Sequence, residues 1–135
     1  YIEIFDKESH KKAGRREDID ISAGEFKEWV LGRWTFPPET RMKDYAHPAM
    51  FPEELPRRLM KLFSYKNDLI LDPFNGAGTT TLVAWKLGRR FIGIDISGQY
   101  SDQAMMRLAA AGSSNECESE SYPAAERVEF EEIER

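Results

Sequence analysis

The chain has 135 residues, 41% of them hydrophobic and 12% aromatic, enough for one domain of ordinary size with its own apolar core. Its formal net charge of −5 is lopsided, because residues 114–135 carry eight Glu against two Arg and leave residues 1–113 at a net of +1. A single cysteine, Cys117, excludes a disulfide framework and fits a reducing, cytoplasmic setting, and two distant histidines, His10 and His47, argue against a metal centre; the absence of any apolar run of about 18 residues argues against a membrane span or a secretion leader.

Taken in chain order, Tyr1-Ile2-Glu3-Ile4-Phe5 alternates apolar side chains with a charge and predicts a strand. It opens without a turn or cap, which suggests entry in the middle of a domain. Residues 6–25 are polar and read as a loop or linker. Lys7, Lys11, Lys12, Arg15 and Arg16 within it make a local positive surface able to meet phosphates, or simply a solvated segment. Glu25 to Leu31 reads as a short helix or an irregular segment, and Trp34, Phe36, Pro37 and Pro38 form a stiff aromatic-proline stretch.

From Phe51 the pattern turns helical, with Leu55, Leu59, Leu62 and Phe63 on one face and Pro52 and Pro56 in or before the first turns. Asp68-Leu69-Ile70-Leu71-Asp72 predicts a strand covered on both faces. Thr79 to Leu87 predicts a helix, Arg90 to Ile96 a second buried strand, and Gln99 to Ala111 a helix ended by Gly112. This succession implies an α/β architecture of parallel strands joined by right-handed crossovers. Residues 113–126 are rich in Ser and Glu and read as a mobile tail, with Val128, Phe130 and Ile133 giving its end a weak amphipathic character.

The loop after Leu71 lies where ligands bind in open α/β sheets, outside the carboxyl ends of the strands. Gly76 and Gly78 allow a tight turn and close approach of a ligand to the backbone, and Thr79, Thr80 and Thr81 open a helix whose free amides and positive dipole end face that ligand. Asp95, 23 residues after Asp72, ends the next strand, where a carboxylate can accept both hydroxyls of a ribose. Thr81 occupies the place of the third glycine of a dinucleotide fingerprint and no Lys follows as in a phosphate loop, so a pyrophosphate ligand is disfavoured.

The string Asp72-Pro73-Phe74-Asn75-Gly76-Ala77-Gly78-Thr79-Thr80, followed by Gly88-Arg89-Arg90-Phe91-Ile92-Gly93-Ile94-Asp95-Ile96 and Tyr100, closely resembles the cofactor signature of bacterial DNA amino-methyltransferases. Upstream, the segment from His47 to Leu59 resembles the helix-opening stretch that precedes this loop in the same family. The resemblance implies a Rossmann-like fold binding S-adenosyl-L-methionine, in an enzyme that methylates adenine N6 or cytosine N4 of double-stranded DNA within a restriction-modification system. It implies that Asp72, Phe74, Gly76 and Gly78 wrap the methionine and sugar, with Asn75, Thr79 and Thr80 alongside. Asp95 holds the ribose, and Ala49 and Phe51 lie beside the methionine end. Phe74 and Ile96 either pack on adenine or belong to the core, and His47 is explained equally well by a structural hydrogen bond.

That family carries its catalytic motif, a polar residue followed by Pro-Pro and an aromatic, on a neighbouring strand. No such motif occurs here; Phe36-Pro37-Pro38-Glu39 lacks both the polar residue and the aromatic. No catalytic residue is therefore assigned in this chain. The division expected is 1–46 as the end of the catalytic half plus a short target-recognition or linker region, 47–112 as the cofactor-binding unit, and 113–135 as an acidic tail. The chain reads as a fragment of a longer enzyme or a natural half that assembles with a complementary catalytic half, inactive alone. Two rivals stand beside this reading: a non-catalytic module that binds cofactor or a partner, and a methyltransferase acting on RNA or a small molecule.

Overall fold

A computed structural model describes residues 2–6, 14–40 and 50–113. The expectations placed on Lys7, Lys11, Lys12, His10, His47, Ala49, Cys117, Val128, Phe130 and Ile133 lie outside the described residues. The elements run from a single 3-10 turn at Arg16–Asp18 to α1 (Ala23–Trp29), α2 (Glu54–Phe63), β1 (Leu69–Asp72), α3 (Thr79–Lys86), β2 (Arg90–Gly93) and α4 (Gly98–Ser113).

The apolar run Leu69-Ile70-Leu71 and the run Phe91-Ile92 pair as parallel strands, with Leu69 opposite Arg90, Ile70 opposite Phe91, Leu71 opposite Ile92 and Asp72 opposite Gly93. A parallel pair needs a crossover between its strands, and α3 supplies it. This is the β-α-β unit of a Rossmann-like α/β fold. Helix α3 contacts both strands and also α2 and α4, so it is buried on most sides, with Thr79, Thr81, Leu82, Val83 and Ala84 inside. One core cluster joins Met60, Val83, Ala84 and Leu87 to Ile70 and Phe91; a second joins Leu82, Leu108 and Ala111 to Trp85 and Phe91.

All of this core meets one face of the sheet. Leu69, Leu71 and Ile92 on the other face are 51%, 58% and 46% exposed. Of the two faces expected to be covered, the described residues cover one; no helix among them packs on the second. Residues 2–6 are exposed and form no strand; an extended segment becomes a strand only when a neighbour completes its ladder, and the described sheet contains β1 and β2 alone. Strand β2 stops at Gly93 rather than Ile96, where the chain leaves the ladder for the turn built around Asp95. In α2 the fully buried positions are Pro56 and Met60; of the stripe expected at Leu55, Leu59, Leu62 and Phe63 the three leucines are half-buried and Phe63 is exposed. Gly112 does not end α4, which continues to Ser113, whose hydroxyl donates to the Ala109 carbonyl at 3.0 Å.

Residues 14–36 are docked on the α2 side of this unit. Ser22 and Glu25 form a reciprocal capping box at the start of α1, which explains why the helix begins at Ala23. Glu25 also pairs with Arg57 at 2.9 Å and Lys61 at 3.1 Å on α2. The Arg58 guanidinium lies 5.2 Å from the Trp29 ring, 5.7 Å from Trp34 and 5.0 Å from Phe36, so the aromatic-proline stretch packs around an α2 cation. Burial alone would raise the Glu25 pKa, but the Ser22 amide and hydroxyl and the Lys61 ammonium outweigh it and lower it from 4.5 to about 2.

A carboxylate held below its unfolded value contributes stability that is complete above that value and is lost as pH falls through the folded one. Unfolding followed against pH should therefore show a loss on the order of 2 kcal/mol between pH 4.5 and about 2 that the Glu25→Gln variant lacks. Identical acid profiles for the two proteins would remove Glu25 as the cause.

Candidate functional site

The carboxyl ends of β1 and β2 point the same way and are tied together beyond the sheet. The Ile94 amide donates to the Asp72 carbonyl and the Asn75 amide to the Ile94 carbonyl, both at 2.9 Å. Asp72 turns its carboxylate back to accept the Phe74 amide at 3.0 Å, which starts the loop. Gly76 then takes a positive φ of 51°, and its amide donates to Asp95 Oδ2 at 2.8 Å. Asp95 Oδ1 accepts the Ser97 amide at 2.8 Å. One carboxylate thus anchors both the glycine loop and the turn into α4.

Gly78 ends the loop with φ 79° as the residue before α3, a left-handed conformation that side chains resist. A Cβ there would stand 2.6 Å from the Ala104 Cβ. Close approach of α4 is therefore the reason for a glycine at 78, a role distinct from the ligand approach read from the sequence. Asn75 is likewise engaged within the loop, its Oδ1 accepting the Thr81 hydroxyl at 3.1 Å. The Thr79 side chain is buried and accepts from Arg107 Nη1 at 3.1 Å, whereas Thr80 is half-exposed. The first amides of α3, at Thr79 to Thr81, have no acceptor within their own helix and concentrate its positive dipole end beside the loop.

The structure brings Asp72, Phe74, Asn75, Gly76, Gly78, Thr79, Thr80, Asp95 and Ile96 to this one end of the sheet. Phe74 is 88% exposed and Ile96 fully so. Neither belongs to the core formed by the described residues. Phe51 is exposed ahead of α2, and Ala49 lies outside the described residues. Among the described residues no group of His, Cys, Asp and Glu is placed to hold a metal ion, and no helix is long and apolar enough to cross a membrane.

Two arginines that support the site were not singled out from the sequence. Arg89, with no exposed surface, pairs through both terminal nitrogens with Asp20 and donates to the Leu87 carbonyl at 2.8 Å and the Ser64 carbonyl at 2.9 Å. It clamps the turn between α3 and β2 to α2 and to residue 20. Arg107 holds the glycine loop from α4, donating to the Ala77 carbonyl at 2.7 Å. The available signal for Arg107 was a charge among Ala104, Leu108 and Ala111 on the apolar face of α4.

A parallel β-α-β unit with a glycine loop facing an acidic residue at the end of the next strand is shared by many nucleotide-binding folds, so fold alone does not name a family. The family model for N6/N4 DNA methylases matches residues 2–106. The chain belongs to this DNA methylase family.

Among the relatives of this methylase chain, the type II methyltransferase M2.DpnII of Streptococcus pneumoniae is 43% identical over 84 residues, covering 61% of the chain and 31% of the relative. The type II methyltransferase M.MjaI of Methanocaldococcus jannaschii is 37% identical over 102 residues, covering 71% of the chain and 34% of the relative. A crystal structure of the Thermus thermophilus protein TTHA0409, assigned as a DNA modification methylase and complexed with S-adenosyl-L-methionine, superposes with a TM-score of 0.63 at 29% identity, covering 82% of the chain and 41% of that protein. The chain spans about a third of the length of the curated relatives it matches.

Proposed function

We propose that this chain is the S-adenosyl-L-methionine-binding part of a DNA methyltransferase that modifies an exocyclic amine, adenine N6 or cytosine N4, in double-stranded DNA. The observation that carries the reading is Asp95, whose carboxylate accepts from the glycine loop at the end of β1, with Phe74 in that loop and Ile96 next to Asp95 both exposed. An ionised carboxylate offers about four lone-pair positions. Gly76 and Ser97 occupy one on each oxygen, so acceptors remain for two ribose hydroxyls. Phe74 and Ile96 supply apolar surface for the adenine, and the amino end of α3 supplies amides and positive potential for the methionine carboxylate. Phe51, ahead of α2, serves the methionine end together with Ala49. When bound, S-adenosyl-L-methionine supplies the methyl group; the residues here hold and orient it.

The Pro-Pro-aromatic motif that would receive the flipped base is absent from the sequence. We assign it to a complementary half, either elsewhere in a longer chain or in a separate subunit acting in the cytoplasm. The apolar face formed by Leu69, Leu71 and Ile92 supports this, since parallel strands are ordinarily covered on both sides. Residues 1–46 then supply the end of the catalytic half and a short target-recognition or linker region, residues 47–112 the cofactor unit, and residues 113–135 an acidic tail.

Titration calorimetry should detect binding of S-adenosyl-L-methionine by the chain, and transfer of its labelled methyl to DNA should require the complementary half. Absence of binding would sink the cofactor assignment. Methyl transfer to DNA by this chain alone would sink the division of labour and leave the cofactor assignment standing.

A further inference from the structure

Arg107 is buried, with 7% of its surface exposed, yet no ligand assignment explains a guanidinium there. Its Nη1 donates to the Ala77 carbonyl at 2.7 Å and to the Thr79 hydroxyl at 3.1 Å. Its Nη2 lies 3.7 Å from Glu53 Oε1, and Glu53 Oε2 accepts from Lys86 at 3.0 Å. Glu53 immediately precedes α2 and follows Phe51-Pro52. A single charge network therefore ties the glycine loop, α3, α4 and the segment ahead of α2.

We propose that Arg107, buttressed by Glu53, is a positioning residue that sets the peptide plane of the glycine loop for the methionine arm of the cofactor; this rests on the cofactor reading above. The Ala77–Gly78 peptide is planar, so fixing both of its polar ends fixes its orientation. Arg107 holds the carbonyl, and the Asn75 carbonyl accepts the Gly78 amide at 2.9 Å. Thr79, the first residue of α3, follows directly, so the same contacts aim the first free amides of the helix. A planar fork can hold a carbonyl and a hydroxyl while meeting a carboxylate on its other nitrogen, and a Lys ammonium cannot reproduce that spacing. Glu53 links the loop to the Phe51 side of the site, so both flanks of the methionine arm are braced together. Preorganising the site this way lowers the ordering cost of binding.

The test compares S-adenosyl-L-methionine with 5′-methylthioadenosine, which keeps the adenosine and lacks the amino-acid arm. In the full chain, Arg107→Met should weaken S-adenosyl-L-methionine by about tenfold or more, and 5′-methylthioadenosine by less than about threefold. Arg107→Lys should fall between Met and wild type. Glu53→Gln, at a quarter-exposed carboxylate, should show the same selectivity with a smaller loss and serves if Arg107→Met does not fold. In the ligand-free variants, hydrogen exchange should accelerate at the Gly78 amide and stay unchanged at the Leu87 amide, which is bonded to Val83 inside the core. Parallel losses for both ligands, or acceleration at both amides, would mean a general structural role and overturn the proposal. Unchanged binding and exchange would overturn it as well. Wild-type protein that binds neither ligand would remove the cofactor reading and this proposal with it; loss of selectivity in the variants alone would remove only the proposal.

Discussion

Replacement of Asp95 by Ala is expected to reduce S-adenosyl-L-methionine affinity by about 100-fold or more, close to 3 kcal/mol. The effect should exceed that of a lost ribose contact, because the carboxylate has a structural task before any ligand arrives. Its Oδ2 accepts the Gly76 amide and its Oδ1 the Ser97 amide, each at 2.8 Å. Removing it leaves two backbone donors without their acceptor and frees the glycine loop from the turn into α4. Asp95→Asn separates the contributions, since an amide keeps one acceptor oxygen and loses both the second acceptor and the charge. We expect Asn to bind more tightly than Ala and more weakly than Asp, by roughly tenfold at each step. Calorimetry gives the affinities, and exchange at the Gly76 amide reports loop order without ligand. Unchanged affinity in Asp95→Ala removes the ribose assignment; a weakened affinity with a fully protected Gly76 amide removes the loop-anchoring one.

Arg89→Met is expected to be the most damaging single change to stability. Arg89 has no exposed surface and its partner Asp20 has a side chain only 8% exposed. Breaking a buried pair from one side costs about 3–5 kcal/mol, because the remaining charge is left buried without compensation. Native domains are stable by only about 5–15 kcal/mol, so this single change removes a large share. The Ser64 and Leu87 carbonyls lose their donor at the same time. Adding Asp20→Asn should recover part of the loss by removing the stranded charge, a coupling readable from a double-mutant cycle by urea unfolding. Strictly additive losses would show that the pair does not act as a unit. Since Arg89 leads directly into β2, loosening this clamp should also degrade the placement of Asp95.

The parts of the fold legible in the sequence are those decided by local chemistry. The run Leu69-Ile70-Leu71 bounded by Asp68 and Asp72 marked β1, the glycine loop marked the turn, and three threonines followed by Leu82, Val83 and Ala84 marked α3. The acidic partner was legible too, since Asp95 closes an apolar run at the spacing one β-α-β unit requires. The expected strand at Tyr1 to Phe5 was not formed over the described residues, because alternation creates a face without creating a partner for it. On α2 the expected leucines are only half-buried, while Pro56 and Met60, beside them on the helix, take the fully buried positions. Gly112 looked like a helix stop, but it lies within α4, which includes Ser113.

The sequence by itself determined the type and order of the central elements, the membership in a methylase family through its motif string, and the place of the loop at the carboxyl ends of parallel strands. These follow from hydrophobic period, turn chemistry and residue spacing, all of which act over a few residues. Only the tertiary structure decided which contacts each residue makes within the fold. It showed that Gly78 is required by the approach of Ala104, that Asp95 anchors Gly76 and Ser97, and that Arg89 and Arg107 clamp the site through partners 69 and 30 residues away. It also showed that one face of the sheet carries the core while Leu69, Leu71 and Ile92 remain open on the other. Such assignments depend on which elements lie side by side, and packing between distant segments leaves no periodic trace along the chain.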